Sequence, residues 1–219
     1  MNTTVPGTDL TPREAAERMA DIAVHAVGIA FAACGAAWLL TASIMAGSGA
    51  GITGSAVYAA CLLTALIASL LYNAAHPSPR KDRLRRFDHA AIYLLIAGTY
   101  TAFMSHATDS ALIMGALAGI WAVALTGAAL KLFAPFMPSW AGASLYLALG
   151  WSGAVIYTPL RDALGPAVLA MIAIGGIIYS VGVIFHLWER LPYRRAVWHG
   201  FVVAAAMIHF SAVALALGG

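Results

Sequence analysis

Three pairs of polar residues recur at a spacing of four in this chain: Asp21 with His25, Ser69 with Asn73, and Arg195 with His199. On a helix each such pair shares one face. Asp88 and His89 are adjacent, about 100° apart around a helix, so they must serve different surroundings. Asp88 is the better inward candidate of the two, because Ile92 and Leu95 continue its face. His209 follows His199 by ten residues, which is about 15 Å along a helix and about 80° around it. These residue types can ligate a metal ion, move protons or hold an activated hydroxyl. Their setting singles them out, since ionisable groups carried into apolar runs are costly unless they are paired or used.

The apolar runs that must position them identify the class. Of the 219 residues, 62% are hydrophobic and only 10% charged, and the mean hydropathy is +0.84. A soluble domain would carry roughly a quarter charged residues. An all-α, polytopic membrane protein is therefore predicted. A bilayer core takes about 20 apolar residues per helix, and seven runs can be placed, at 20–45, 53–76, 87–106, 110–131, 139–158, 165–187 and 196–217. The Gly-rich segment 47–54 and Pro77, Pro79, Pro135, Pro138, Pro159, Pro166 and Pro192 punctuate the runs, as breakers should.

Residues 1–18 are polar and mixed in charge, without the short apolar core of a removable signal peptide. The expected organisation is a cytoplasmic N-terminal segment, 1–19, and a single transmembrane domain, 20–217. Counting Lys and Arg sets the orientation. Eleven of the twelve, including the five between Arg80 and Arg86, fall on one side of a seven-span arrangement, and Arg161 alone falls on the other. The N-terminus is then cytoplasmic and the C-terminus external.

That orientation sorts the polar residues by depth. Asp21, His25, Ser69, Asn73, Asp88 and His199 all gather toward the cytoplasmic side. His76, His89 and His186 lie there too, near helix ends, where a histidine commonly serves as an interfacial anchor. Glu189 is expected to pair with Arg190 or Arg194 in solvent. Cys34 and Cys61 read as small buried hydrophobes, and the Gly115–Gly119 pair as close packing inside the bundle. No P-loop, dinucleotide fingerprint, nucleophile elbow or HExxH motif occurs. Basic residues confined to short loops exclude a nucleic-acid-binding face. The fourth and fifth runs carry almost no polar residues, which argues against a dedicated aqueous pore.

Several segments resemble one family. They are S-x-x-x-N at 69–73, RRFDHAAIYLLIAGTYT at 85–101, WHGFVVAAAMIHF at 198–210 and the weaker DIAVHAVG at 21–28. The chain resembles the hemolysin III proteins, the bacterial branch of the progestin and adipoQ receptor superfamily, over roughly residues 17–213. The resemblance implies seven helices with the N-terminus inside and a zinc site near the cytoplasmic side. Its ligands would be a histidine ending S-x-x-x-H on the second helix and both histidines of H-x-x-x-H on the seventh, with a serine and an aspartate holding water.

Carried across, Ser69, Asp88 and His199 match as catalytic or metal-binding positions. Asn73 and Arg195 stand where the other two zinc ligands belong. Asparagine is a poor zinc ligand, and arginine does not give up its proton to become one. His25, His76 or His89, or Asp88 itself, would have to complete a rearranged site, with Asp21 and His209 as further polar groups. Ala102 also replaces a proline common in the family.

Three functions are compatible with this reading. The superfamily's similarity to ceramidases implies metal-dependent hydrolysis of lipid amides, with membrane lipids as the partners. The family name implies a cytolytic or pore-forming activity. A metal-free lipid sensor acting in membrane homeostasis is the third, with Arg195 paired to Asp88 in place of zinc.

Overall fold

The computed structural model describes residues 11–134 and 138–217. The helices are α1 (Pro12–Met45), α2 (Gly49–Ala74), α3 (Pro79–Met104), α4 (Ala111–Phe133), α5 (Ser139–Trp151), α6 (Tyr157–Leu187) and α7 (Arg194–Leu217). Short 3-10 turns follow α3 at Ser105–Ala107 and α5 at Ser152–Ile156. Among the described residues, six helical stretches are long and apolar enough to cross a membrane, with α5 and α6 together forming one of them, Trp140–Leu187. The architecture is that of an all-helical, multi-pass membrane protein.

Two helices begin about eight residues earlier than their apolar runs. At α1, Thr11 accepts from the Glu14 backbone and Glu14 returns a bond to the Thr11 N–H, a capping box with Pro12 behind it. At α3, Ser78 caps the helix and Pro79 occupies its first turn. The cluster Arg80–Arg86, expected in a loop, is therefore helical. The correction has a simple cause: hydropathy finds where a helix enters the membrane, and capping chemistry finds where it starts. Residues 12–19 of the expected N-terminal segment belong to α1, residues 1–10 lie outside the described residues, and so does the break expected at Pro135.

The fifth run also differs. The α-helix stops at Trp151, and Tyr100 clamps the following 3-10 turn by donating to the Gly150 carbonyl at 2.6 Å and accepting from the Gly153 N–H at 2.7 Å. Residues 159–164, expected as a loop at Pro159, are helical. The break falls at Gly165, whose φ of 78° precedes Pro166. Glycine tolerates that left-handed backbone, and Pro166 cannot complete the preceding turn.

Helix α3 is central. Leu95, Ala102 and Phe103 face a core shared with α1, α2, α6 and α7. Ala90, Tyr93, Ala97 and Met104 face a second core with α4, α5 and α6. Helix α1 packs between α2 and α7, and α6 packs on α7, so α1, α2, α3 and α7 converge around one interior. Gly115 and Gly119 were expected in the packing but face outward, with open space where a Cβ would stand. Cys34 is likewise exposed, and Cys61 is half-buried; both are free thiols.

The basic residues have a structural task. Arg18 donates to the Ala74 carbonyl, Lys81 Nζ donates to the Ala75 carbonyl at 2.8 Å, and Arg86 donates to the Leu132 carbonyl at 3.2 Å. These carbonyls end α2 and α4, where the helix dipole is negative and acceptors lack partners. The cations thus close helix ends, independently of any lipid headgroup.

Candidate functional site

Helices α1, α2 and α7 each send one or two polar side chains to a common point. Asp21 is 3% exposed, His25 1%, Ser69 8% and His199 8%. On α1, the four-residue spacing makes a local bond: His25 Nδ1 lies 2.8 Å from the Asp21 carbonyl oxygen. A carbonyl only accepts, so Nδ1 carries the proton and Nε2 is left as an acceptor. That Nε2 is buried and has no partner.

The long-range contacts centre on His199. Its Nδ1 lies 2.6 Å from Asp21 Oδ1, and its Nε2 lies 3.1 Å from Ser69 Oγ. A carboxylate accepts, so Nδ1–H donates to Asp21 and Nε2 is free to accept from the Ser69 hydroxyl. The His25 ring lies against that of His199, with centroids 4.2 Å apart. One turn along α2, Asn73 Nδ2 donates to the Ser69 carbonyl at 3.0 Å and approaches Ser69 Oγ at 3.4 Å. Asp88 is buried on α3 and lines the same cavity as Ser69.

This cluster borders a cavity of about 510 Å³. Leu95, Phe103, Leu169 and Ile172 give most of it an apolar wall, and Arg85, Lys131 and Arg195 line one end. Trp151 and Tyr157 also line it and are exposed, so the cavity reaches the outer surface of the bundle beside α5. Its size is that of a site for a small organic ligand.

The other expected residues divide. His89 lines the cavity on a different side from Asp88, meeting the Tyr72 ring edge-on and accepting from Tyr146 through its carbonyl. His209 lies deeper, with Nε2 donating to the Ile172 carbonyl at 3.1 Å, and so packs α7 on α6. His76 is exposed beyond the end of α2 and does not join the cluster. Asp88 and Arg195 make no ion pair, because Arg195 lies one turn nearer the end of α7 with its side chain exposed. Glu189 is exposed and pairs with neither Arg190 nor Arg194. Sequence reasoning did not find the buried Lys131, whose Nζ lies 5.9 Å from the Tyr146 ring centroid.

The described family "Haemolysin-III related" matches residues 15–210, a span holding every residue of the cluster. The chain belongs to the haemolysin III family. It is 31% identical over 197 residues to the hemolysin-3 homolog of Bacillus subtilis, covering 90% of this chain and 92% of that one. It is 34% identical over 200 residues to hemolysin-3 of Bacillus cereus, covering 90% of each. The human monocyte to macrophage differentiation factor is 28% identical over 142 residues, 61% of this chain and 58% of that protein. These matches place the family member within the progestin and adipoQ receptor superfamily.

A family zinc centre can be tested against the side chains present. Asp21, His25 and His199 each offer a ligand atom, all within 4.8 Å of one another, so by number and proximity they could hold a metal ion. The implied zinc set does not fit. Asn73 and Arg195 occupy two of its three histidine positions, and Asn73 is already bonded to Ser69. Asp21 Oδ1 and His199 Nδ1 lie 2.6 Å apart, whereas two ligands on a tetrahedral zinc stand about 3.3 Å apart. They form a hydrogen bond, and the other His199 nitrogen is engaged by Ser69.

Proposed function

We propose that this haemolysin III family member is a lipid hydrolase of the bacterial inner membrane, cleaving the acyl bond of lipid amides of the ceramide type. The observation that carries the reading is a buried cluster of acid, imidazole and hydroxyl bordering a mostly apolar cavity of about 510 Å³. A binding cavity alone would have no use for ionisable groups that are expensive to bury. In hydrolysis they have one. The acyl chain lies along Leu95, Phe103 and Ile172, the carbonyl stops at Ser69, and His199 and Asp88 are bases within reach of the proton that must move. Exposed Trp151 and Tyr157 mark where a lipid enters from the bilayer.

The proposal includes seven spans with the N-terminus inside. At 13 residues, α5 is short for a bilayer, but with its 3-10 turn it reaches about 30 Å. The charge asymmetry supports the same topology, which puts the Asp21–His199 cluster toward the inner leaflet. Cysteine scanning in intact cells, with Cys34 and Cys61 replaced by alanine, checks it. A cysteine at Asp109 should react with a membrane-impermeant maleimide, and one at Arg83 should react only after permeabilisation. The reverse pattern would overturn the orientation.

The function is tested by reconstituting purified protein into vesicles that contain N-acyl sphingosine in a phospholipid matrix. Free fatty acid should appear with wild type and not with His199→Gln, whose amide can still bond to Asp21. Vesicle leakage without any fatty acid, unaffected by His199→Gln, would replace this reading with the membrane-perturbing one that the relatives' names carry.

A further inference from the structure

We infer that Ser69 is itself the nucleophile of a metal-free Ser69–His199–Asp21 triad, and that acyl-lipid cleavage proceeds through a covalent acyl-Ser69 enzyme. This rests on the hydrolase reading and specifies its chemistry. Three residues from α2, α7 and α1 stand in the order a serine hydrolase requires: hydroxyl to Nε2 at 3.1 Å, and Nδ1 to carboxylate at 2.6 Å. Asp21 fixes the tautomer. With the Nδ1 proton committed to its carboxylate, Nε2 has only a lone pair to offer, so it can accept the Ser69 proton.

The surroundings complete the arrangement. Asn73 Nδ2 lies 3.0 Å from the Ser69 carbonyl oxygen and 3.4 Å from Ser69 Oγ. An amide has two N–H groups, and the one not committed to the carbonyl can donate to negative charge developing beside Oγ. The histidine that the zinc family places here would offer one donor at most. The His25 ring braces His199, with the two ring centroids 4.2 Å apart. Serine hydrolases commonly present the nucleophile on a strained turn, as in G-x-S-x-G. Here three helices supply the geometry, which is why no such motif is visible in the sequence.

The chemistry balances. Ser69 Oγ attacks the acyl carbonyl carbon as its proton passes to His199 Nε2. The tetrahedral centre collapses, the carbon–nitrogen bond breaks, and the His199 proton leaves on the amine. Water then attacks the acyl-Ser69 ester and gives a proton to His199. Breaking of the ester bond returns that proton to Ser69 Oγ and frees the carboxylic acid. An ester lipid would follow the same course with an alcohol as leaving group.

The test uses purified full-length protein in micelles and an alkyl fluorophosphonate, read by intact and peptide mass spectrometry. Wild type should gain one adduct, located on Ser69, at the same rate with and without 1,10-phenanthroline. Ser69→Ala should gain none, and Asp21→Asn should be labelled at least about 10³-fold more slowly. Ser69→Cys, with Cys34 and Cys61 replaced by alanine, serves as a second variant and should be alkylated at residue 69 by iodoacetamide. An adduct that persists in Ser69→Ala would overturn the triad. Fatty acid release that is abolished by phenanthroline, with no label on Ser69, would overturn it too and leave the hydrolase reading standing. Absence of both label and fatty acid release would remove both.

Discussion

Asp21→Asn should lower acyl-lipid hydrolysis by about 10⁴-fold with little change in folding. The carboxylate now accepts the His199 Nδ1 proton at 2.6 Å. An asparagine amide can instead donate to Nδ1, which shifts the ring proton to Nε2. Two donors then face each other at Ser69, and the hydroxyl loses the base that should take its proton. The shape of residue 21 barely changes, and so does its packing. A charge-assisted bond is lost, but a carboxylate no longer has to be buried, so the net cost should be about 1 kcal/mol. His199→Ala is less informative, because it leaves the Asp21 carboxylate buried without its partner, at a cost of about 3–5 kcal/mol. Turnover measured beside the thermal midpoint of each variant separates the two effects. Near wild-type turnover in Asp21→Asn would show that Asp21 plays no part in directing the proton.

Gly175→Ala should be the most damaging single-methyl addition in the bundle, costing about 2–3 kcal/mol. An added Cβ would overlap Cδ2 and Nε2 of His209. The imidazole cannot easily retreat, because it donates to the Ile172 carbonyl and lies 5.6 Å from the Tyr179 ring between centroids. Gly175 therefore sets how closely α6 approaches α7, and with it the shape of the cavity. His209→Ala should remove the clash, so the double variant should melt higher than Gly175→Ala alone. The exposed Gly115→Ala and Gly119→Ala meet nothing within 4 Å and should gain up to about 1 kcal/mol each from helix propensity. Thermal unfolding in detergent reads all four. Equal midpoints for Gly175→Ala and wild type would show that the contact is not tight.

The sequence carried most of the architecture because membrane helices are written in hydropathy, which is local. The starts of α1 and α3 lay in signals of a different kind, Thr11-x-x-Glu14 and Ser78-Pro79, which a search for apolar runs passes over. The 3-10 turn after α5 depends on Tyr100, about 50 residues earlier in the chain, and no local pattern encodes that clamp. The outward direction of Gly115 and Gly119 depends on which face of α4 meets α3, which GxxxG spacing does not specify. At the site, the Asp21/His25 and Ser69/Asn73 pairings were legible from a spacing of four. The bonds from His199 to Asp21 and Ser69 span 178 and 130 residues, and helix packing alone creates them. Family resemblance pointed to α2, α3 and α7 and to a zinc set that Asn73 and Arg195 do not provide.

The most direct test of the account is fatty acid released per protein from vesicles containing N-acyl sphingosine, compared among wild type, Ser69→Ala and Asp21→Asn at matched folding. Sustained release by wild type, with both variants reduced by about 10³-fold or more, is the predicted result. Equal release from all three proteins, or none from wild type, would contradict it.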